Sequence, residues 1–371
     1  MNVSERLRYA RERAGLKGPQ VREMTGIGPS SLSEFEKGRR QPSLAQLQKL
    51  ASAYRRSLSF FLEEGSIPQE QVLWREKPER EAADLEAHFL RLCEQYHNLE
   101  VWTGEELPVC LPQTSGRAER YGYSDAEALA KRVRDALELG DRPGLALLPV
   151  LEEVCGVKIF HLDFEPTGTA ASVKSETFGA GVLLNAGNVR WRRNFDLAHE
   201  LFHLLTWDIF REPVANGATS LCATGEEERL AQCFAVNVLM PSDAVRAALN
   251  RKVKDGRLPL EGLFDVARQF DVSVEALLWH MHNLHMLSDD ADATKALIER
   301  AKSLSPMFEE RRHTPPEKLP ERYKSLAIKA LRHGAMSVGR FAEYLDISRK
   351  KAMTYVRQEA AEDEEIPLTS A

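Results

Sequence analysis

Along residues 4–62 apolar positions recur at helical spacing and break at Gly15, at Gly26-Ile27-Gly28 and between Gly38 and Pro42. That pattern predicts several short helices around one small core. Residues 63–84 are charged and contain Pro68 and Pro78, which reads as a connector. Leu85, Phe89, Leu92 and Tyr96 then share one face of a helix expected over 84–100. A second Pro-, Gly- and polar-rich loop covers 107–123, and Ser124 is placed to cap a helix over 125–139. Three short runs, 157–164, 170–174 and 179–184, carry strand-forming residues between Gly and Pro and predict a small sheet. The helical period returns over 192–206, 226–240 and 260–287, so this section is expected to be a few strands packed by helices. From Ser288 the chain is acidic, then helical, then irregular through Ser305-Pro306 and 313–320. Residues 321–357 are helical and locally basic, and the acidic tail after them is expected to be disordered.

Composition adjusts this picture in three ways. At 371 residues, 43% apolar and 29% charged, the chain has the make-up of a soluble protein of two or three units. It has no apolar run near the roughly 18 residues of a membrane span and no secretory leader pattern at its start, so no membrane contact and a cytoplasmic location are expected. Cys93, Cys110, Cys155, Cys222 and Cys233 are five scattered thiols without a Cys-x-x-Cys pair, read as reduced. The net charge is −6, yet residues 1–62 carry +7, which leaves −13 on the rest. A basic module on an acidic body is the asymmetry expected if only the first part meets a polyanion.

The chemistry centres on His199-Glu200-Leu201-Phe202-His203. Histidines four apart on a helix share a face one turn from each other, so two metal ligands need no loop geometry. A glutamate directly after the first can take a proton from a metal-activated water. Phe195, Leu197, Ala198, Leu201, Phe202, Leu204 and Leu205 would bury that helix and dry the site. A third ligand is available on the helix over 226–240. There Ala231, Phe234, Ala235 and Val238 form the apolar stripe, with Glu227 and Glu228 one turn earlier on the same side, and periodicity does not choose between the two. His280, His282 and His285 form a second histidine-rich stretch, but on a helix His280 and His282 point about 200° apart, so it is read as a partly exposed helix face.

The segment from Asn194 through Leu205, followed by Glu228-Arg229-Leu230-Ala231-Gln232-Cys233-Phe234-Ala235 and Leu239-Met240-Pro241, resembles the ImmA/IrrE family of metallopeptidases. The resemblance covers residues 125–287. It implies a zinc ion held by His199, His203 and Glu228, with Glu227 in reserve, and Glu200 as the catalytic base. Manganese or iron also suits two histidines and a carboxylate. Phe202 departs from the family, which usually has Gly there. If the resemblance holds, the strand around Val182-Leu183-Leu184-Asn185 would lie at the cleft edge and pair with an extended peptide, although Asn185 also reads as a turn residue before Gly187.

Residues 6–62 resemble the Xre/Cro-type helix-turn-helix family at Ala14-Gly15-Leu16, Val21, Gly26-Ile27, Leu32 through Gly38, Pro42-Ser43-Leu44 and Leu47 through Ala51. This implies double-stranded DNA as a partner and pairing of two chains as a homodimer. On the expected recognition helix Ser30, Ser31 and Ser33 face a groove, and Lys37, Arg39 and Arg40 just beyond it suit phosphates. Lys17-Gly18 stands where the family commonly has Ser-Gln, and the helix lacks the Arg, Asn or Gln best placed for bidentate base contacts. Arg349, Lys350, Lys351 and Arg357 offer a second basic face that serves equally as solvated surface or docking site.

The expected plan is multidomain: an all-α helix-turn-helix domain (1–62), a linker with an amphipathic helix (63–123), an α+β zincin-like peptidase domain (124–287), an acidic connector (288–320), a small helical C-terminal domain (321–357) and a tail (358–371). The expected function is a transcriptional regulator whose zinc endopeptidase domain cleaves a specific regulatory protein. The alternative is a non-catalytic regulator in which the peptidase fold senses a ligand or binds a partner.

Overall fold

The computed structural model describes residues 3–14, 16–54, 56, 58–62, 70–79, 81–166, 169–211, 220–308 and 315–359; most of the expected disordered tail lies outside them. The N-terminal unit consists of α1 (Val3–Arg13), α2 (Gly18–Thr25), α3 (Pro29–Glu36), α4 (Leu44–Ala53) and α5 (Leu58–Leu62) around Leu7, Val21, Leu32, Phe35, Leu50 and Phe61. Gly26 ends α2 at φ 75°, a left-handed conformation that only glycine adopts without strain, and Pro29 opens α3 with its φ already helical. Ser43 caps α4 reciprocally: its Oγ accepts from the Gln46 amide at 3.2 Å, and Gln46 Oε1 accepts from the Ser43 amide at 2.9 Å.

The body is built on one sheet. In chain order come β1 (Val72–Trp74), α6 (Ala82–Thr103), α7 (Tyr123–Ala136), α8 (Pro143–Pro149), β2 (Lys158–Leu162), β3 (Ala170–Ser175), β4 (Gly179–Asn185), α9 (Arg190–Leu205), α10 (Trp207–Phe210), β5 (Ser220–Cys222) and α11 (Gly225–Leu239). Then follow α12 (Ser242–Asn250), α13 (Leu260–Phe270), α14 (Val274–Asn283), α15 (Ala291–Phe308), α16 (Glu321–Arg332), α17 (Val338–Tyr344) and α18 (Arg349–Glu359). Among the described residues the strand order is β2-β4-β3-β1-β5, with β3 antiparallel to β4 and β1, and the outer pairs parallel.

Strand alternation sorts side chains to two faces. Ile159, Ala170, Ala180, Val182 and Leu184 join the core beneath α7, α9 and α11, whereas Val72, Trp74, Phe160, Ala171, Val173 and Leu183 join the core beneath α6 and α16 to α18. Gly181 belongs to the second face. A Cβ there would stand 2.8 Å from Cys93 Sγ and 3.2 Å from Phe89 Cζ, so the missing side chain lets α6 lie directly on the sheet.

Several expectations are corrected. The 63–123 segment is no mere linker, because it supplies β1, paired on both sides, and α6, whose Phe89, Leu90, Cys93 and Leu99 are fully buried. The 321–357 segment has no core of its own. Tyr323 packs edge-on to Tyr96 at 5.4 Å and to Phe160 at 6.0 Å, and Arg322 pairs with Glu100 at 2.5 Å, which closes the back layer of the same sheet. The helix expected over 260–287 divides: Asp271 (φ 55°) ends α13 and Ser273 caps α14 through the Ala276 amide. Gly122, rather than Ser124, caps α7, and its amide donates to Asp125 Oδ2 at 2.9 Å.

The strand at 182–185 is not an edge. Its two sides are taken by β2 and β3, so it has no free ladder for a peptide. Asn185 is the last residue of β4, and its side chain accepts from the Gly187 amide at 2.9 Å and donates to the Phe164 carbonyl at 2.6 Å, which braces the turn that follows.

Candidate metal centre and helix-turn-helix surface

Helix α9 carries the expected pair on a wholly buried stretch: His199, Glu200 and His203 are at most 1% exposed. Leu197, Ala198, Leu201 and Leu204 fix its rotation against the sheet and α11. The facing residues come from the first turn of α11. Thr224 starts that helix by accepting from the Glu227 amide at 3.2 Å, which sets Glu227 and Glu228 over α9.

The two glutamates, which periodicity left equivalent, take different positions. Glu228 places Oε2 3.0 Å from His199 Nε2 and Oε1 3.3 Å from His203 Nε2. One ligand atom from each of the three residues lies within 4.8 Å of the other two, the one such metal-binding cluster among the described residues. Glu227 instead lies behind His203, with Oε1 2.8 Å from Nδ1, and Arg211 clamps it at 2.9 Å and 2.5 Å. A carboxylate on Nδ1 fixes the imidazole so that Nε2 faces the cluster.

Both Nε2 atoms and Glu228 Oε1 are buried and have no hydrogen-bond partner within the chain. Orphaned polar atoms at such depth are costly unless an ion or another group completes them. Two imidazole nitrogens and a carboxylate, with His203 held from behind by Glu227, fit a zinc-type cation with an open coordination position. Burial holds the His199 imidazole down at about 4. Burial also lowers His203, but its hydrogen bond to Glu227 and the Glu228 carboxylate facing it outweigh this and hold it up at about 9. Burial raises Glu228, and the two imidazoles overcome that to hold it at about 2.

Glu200 is fully enclosed. Ser172, on the α9 side of β3, donates to its Oε2 at 2.7 Å, and Oε1 has no partner. Burial lifts this carboxyl to about 7, against the pull of His203 and the Ser172 hydroxyl. Such a group exchanges a proton near neutral pH. One turn before His199, buried Asp196 accepts from Asn188 Nδ2 at 3.0 Å and Arg75 Nη1 at 3.2 Å and forms an ion pair with Arg192, Nε at 3.0 Å. Arg75 also places Nε 3.7 Å from Glu228 Oε2.

Sequence reasoning did not reach Ser172, Asp196, Arg211 or Arg75. Asp196 was findable, since it precedes His199 by one helical turn. Arg75 was not: it is 121 residues from Asp196 and no local period joins them.

Phe202 turns its bulk into the core, with ring centroids 6.1 Å from Tyr121, 5.6 Å from Phe234 and 6.2 Å from Phe210. The three downstream histidines diverge. His280 is buried, His282 Nδ1 meets Thr294 Oγ1 at 3.1 Å, and His285 pairs with Asp289 at 3.0 Å.

On the N-terminal unit Ser30 is exposed at the start of α3, Ser31 and Ser33 are half-buried, and Lys37, Arg39 and Arg40 are exposed beyond its end. Glu36, which would repel phosphate, is engaged by Arg11 through Nε at 2.6 Å and Nη2 at 2.9 Å. Gly38 (φ 70°) turns the chain after α3 into this basic corner.

A helix-turn-helix unit set on a sheet-and-helix body with a His-Glu-x-x-His helix defines a regulator carrying a peptidase-like domain. Residues 7–61 match the helix-turn-helix family, and residues 152–281 match the family described as IrrE N-terminal-like domain. No curated protein matches the chain. A solved structure, described as Bacillus thuringiensis PlcR in complex with the peptide PapR7 and DNA, is 12% identical and covers 98% of this chain and 99% of its own. Its TM-score is 0.16, which carries no argument. No helix among the described residues is long and apolar enough to cross a membrane.

Proposed function

We propose that the protein is a cytoplasmic DNA-binding regulator whose body is a zinc-dependent endopeptidase acting on one specific protein, of the repressor or antitoxin type. The observation that supports this most is the convergence of His199 Nε2, His203 Nε2 and Glu228, unsatisfied within the chain and buried beside the Glu200 carboxyl. A cation held by His199, His203 and Glu228 would supply Lewis-acid polarisation of a carbonyl and of water near neutral pH. Glu200 takes a proton from the attacking water and returns it to the leaving amine, while Ser172 holds its other oxygen. Glu227 and Arg211 keep His203 in register, and Asp196 braces the preceding turn.

Metal analysis of the purified full chain tests this directly. About one zinc per chain is expected, lost on His199→Ala, and absence of metal after zinc-replete purification sinks the reading. Glu200→Gln should keep zinc and abolish cleavage of the partner protein. If that variant cleaves undiminished, the base is another group.

For the N-terminal unit the reading is duplex DNA bound by a pair of chains, with Ser30, Ser31 and Ser33 toward the groove and Lys37, Arg39 and Arg40 on phosphates. Replacing Arg39 and Arg40 together should weaken binding and flatten its salt dependence by nearly two charges' worth of slope. An unchanged slope would assign this corner to protein docking.

A further inference from the structure

Arg75 stands outside the region that matches the peptidase family, yet its guanidinium reaches the metal cluster. It follows β1, and its amide donates to the Ala170 carbonyl on β3 at 3.3 Å, so a core strand fixes its backbone. Asp196, 1% exposed, holds Nη1 at 3.2 Å. The same carboxylate is shared with Arg192, at 3.0 Å, so one buried acid faces two guanidinium groups. The second acid beside Arg75 is Glu228, whose oxygens face the two imidazoles. Once a cation commits that carboxylate, the charge on Arg75 is left without a full counter-charge. Access points the same way: the side chains of His199 and His203 are 0% and 1% exposed, whereas those of Arg75 and Glu228 are 19% and 17% exposed. Arg75 and Glu228 are thus the members of this group that solvent reaches.

We infer that Arg75 is a catalytic residue that binds the anionic oxygen formed on the substrate carbonyl; this rests on the peptidase reading. Water loses a proton to Glu200 and its oxygen bonds to the carbonyl carbon. The carbonyl π pair moves onto the substrate oxygen, which accepts N–H bonds from Arg75. As that pair returns, the C–N bond breaks and the amine leaves with the proton from Glu200, giving a carboxylic acid and an amine. A guanidinium fixed before reaction in a water-poor site is suited to charge that appears only during the step.

Inorganic phosphate, a tetrahedral anion that needs no substrate sequence, probes this in the full chain loaded with Co2+, whose visible spectrum reports both metal and anion. Arg75→Gln should bind Co2+ as the parent does and bind phosphate roughly ten- to a hundredfold more weakly, the loss of one charge-assisted hydrogen bond. Arg75→Lys should recover most of it. Arg192→Ala, which of the two arginines leaves Asp196 to Arg75 alone, should weaken phosphate binding far less than Arg75→Gln does. The inference is overturned if the parent binds Co2+ but not phosphate, if Arg75→Gln binds phosphate as tightly as the parent, or if Arg192→Ala weakens it equally. Loss of Co2+ in Arg75→Gln also counts against it, since Arg75 would then only hold the ligands in place. If the parent itself fails to bind Co2+, the peptidase reading falls.

Discussion

Phe202 shows how a residue that breaks a family pattern can still be fixed by physics. Its side chain is wholly buried among Tyr121, Phe210 and Phe234, so truncation leaves a cavity between α9 and α11. Phe202→Ala should cost about 3–5 kcal/mol in urea unfolding, and a cost under about 1 kcal/mol would contradict this packing. A second prediction concerns pH. Burial lifts the Glu152 carboxyl from 4.5 to about 7, and its Oε1 accepts from the Tyr96 hydroxyl at 3.0 Å. The folded state prefers the protonated acid, so the stabilisation is complete below about pH 4.5 and is lost as pH rises through about 7. Glu152→Gln keeps the acceptor and cannot ionise. At about pH 8 it should exceed the parent by about 1–3 kcal/mol, a gap that closes on acidification and that an unchanged pH profile would refute. Of the side chains around the cluster, those on one helix were legible, because spacing alone puts His199 and His203 together. Ser172 lies on β3 and Arg75 directly follows β1, so their proximity exists only after the sheet has formed.

Among elements, long amphipathic helices were read well and short or interrupted ones were not. α6, α9 and α11 lie within a few residues of expectation because each has a continuous apolar face. β1 is three residues long and sits between charged stretches, so nothing local distinguishes it from a loop. Pairing on both sides makes it a strand. The joint between α13 and α14 was hidden because Asp271 is a non-glycine residue in the left-handed region, which pattern reading does not anticipate. The packing of α6 on the sheet turns on Gly181. Gly181→Ala should lower stability by about 1–3 kcal/mol, since the new methyl meets Cys93 Sγ and Val173 Cγ1. Combining it with Cys93→Ala should cost less than the sum of the two single changes. Strict additivity in a thermal or urea series would mean that the contact is not the cause.

For the molecule as a whole, the basic module does not dangle from the acidic body. Arg56, 4% exposed, pairs with Glu94 of α6 and lies 3.5 Å from Glu70, just ahead of β1, and its guanidinium sits 4.7 Å over the Phe60 ring. Charge alone separates a basic first unit from the rest in the sequence. Composition misplaces the later boundaries because it cannot report that distant segments share one core. β1 and α6 precede the loop at 104–117, whereas the strands they complete come after it. A chain severed in that loop would therefore not yield two finished halves. The first piece would keep a strand and a helix without a sheet to lie on, and the second would keep β3 with one side unpaired and the apolar back of the sheet bare. Produced separately, the pieces should aggregate. Produced together, they should find each other and copurify as one particle, and independent solubility of the second piece alone would show that the shared core matters less than its burial suggests. Seen this way, the helix-turn-helix unit and the peptidase-like body are not two tools on one handle but a single object that merely happens to be threaded through one loop.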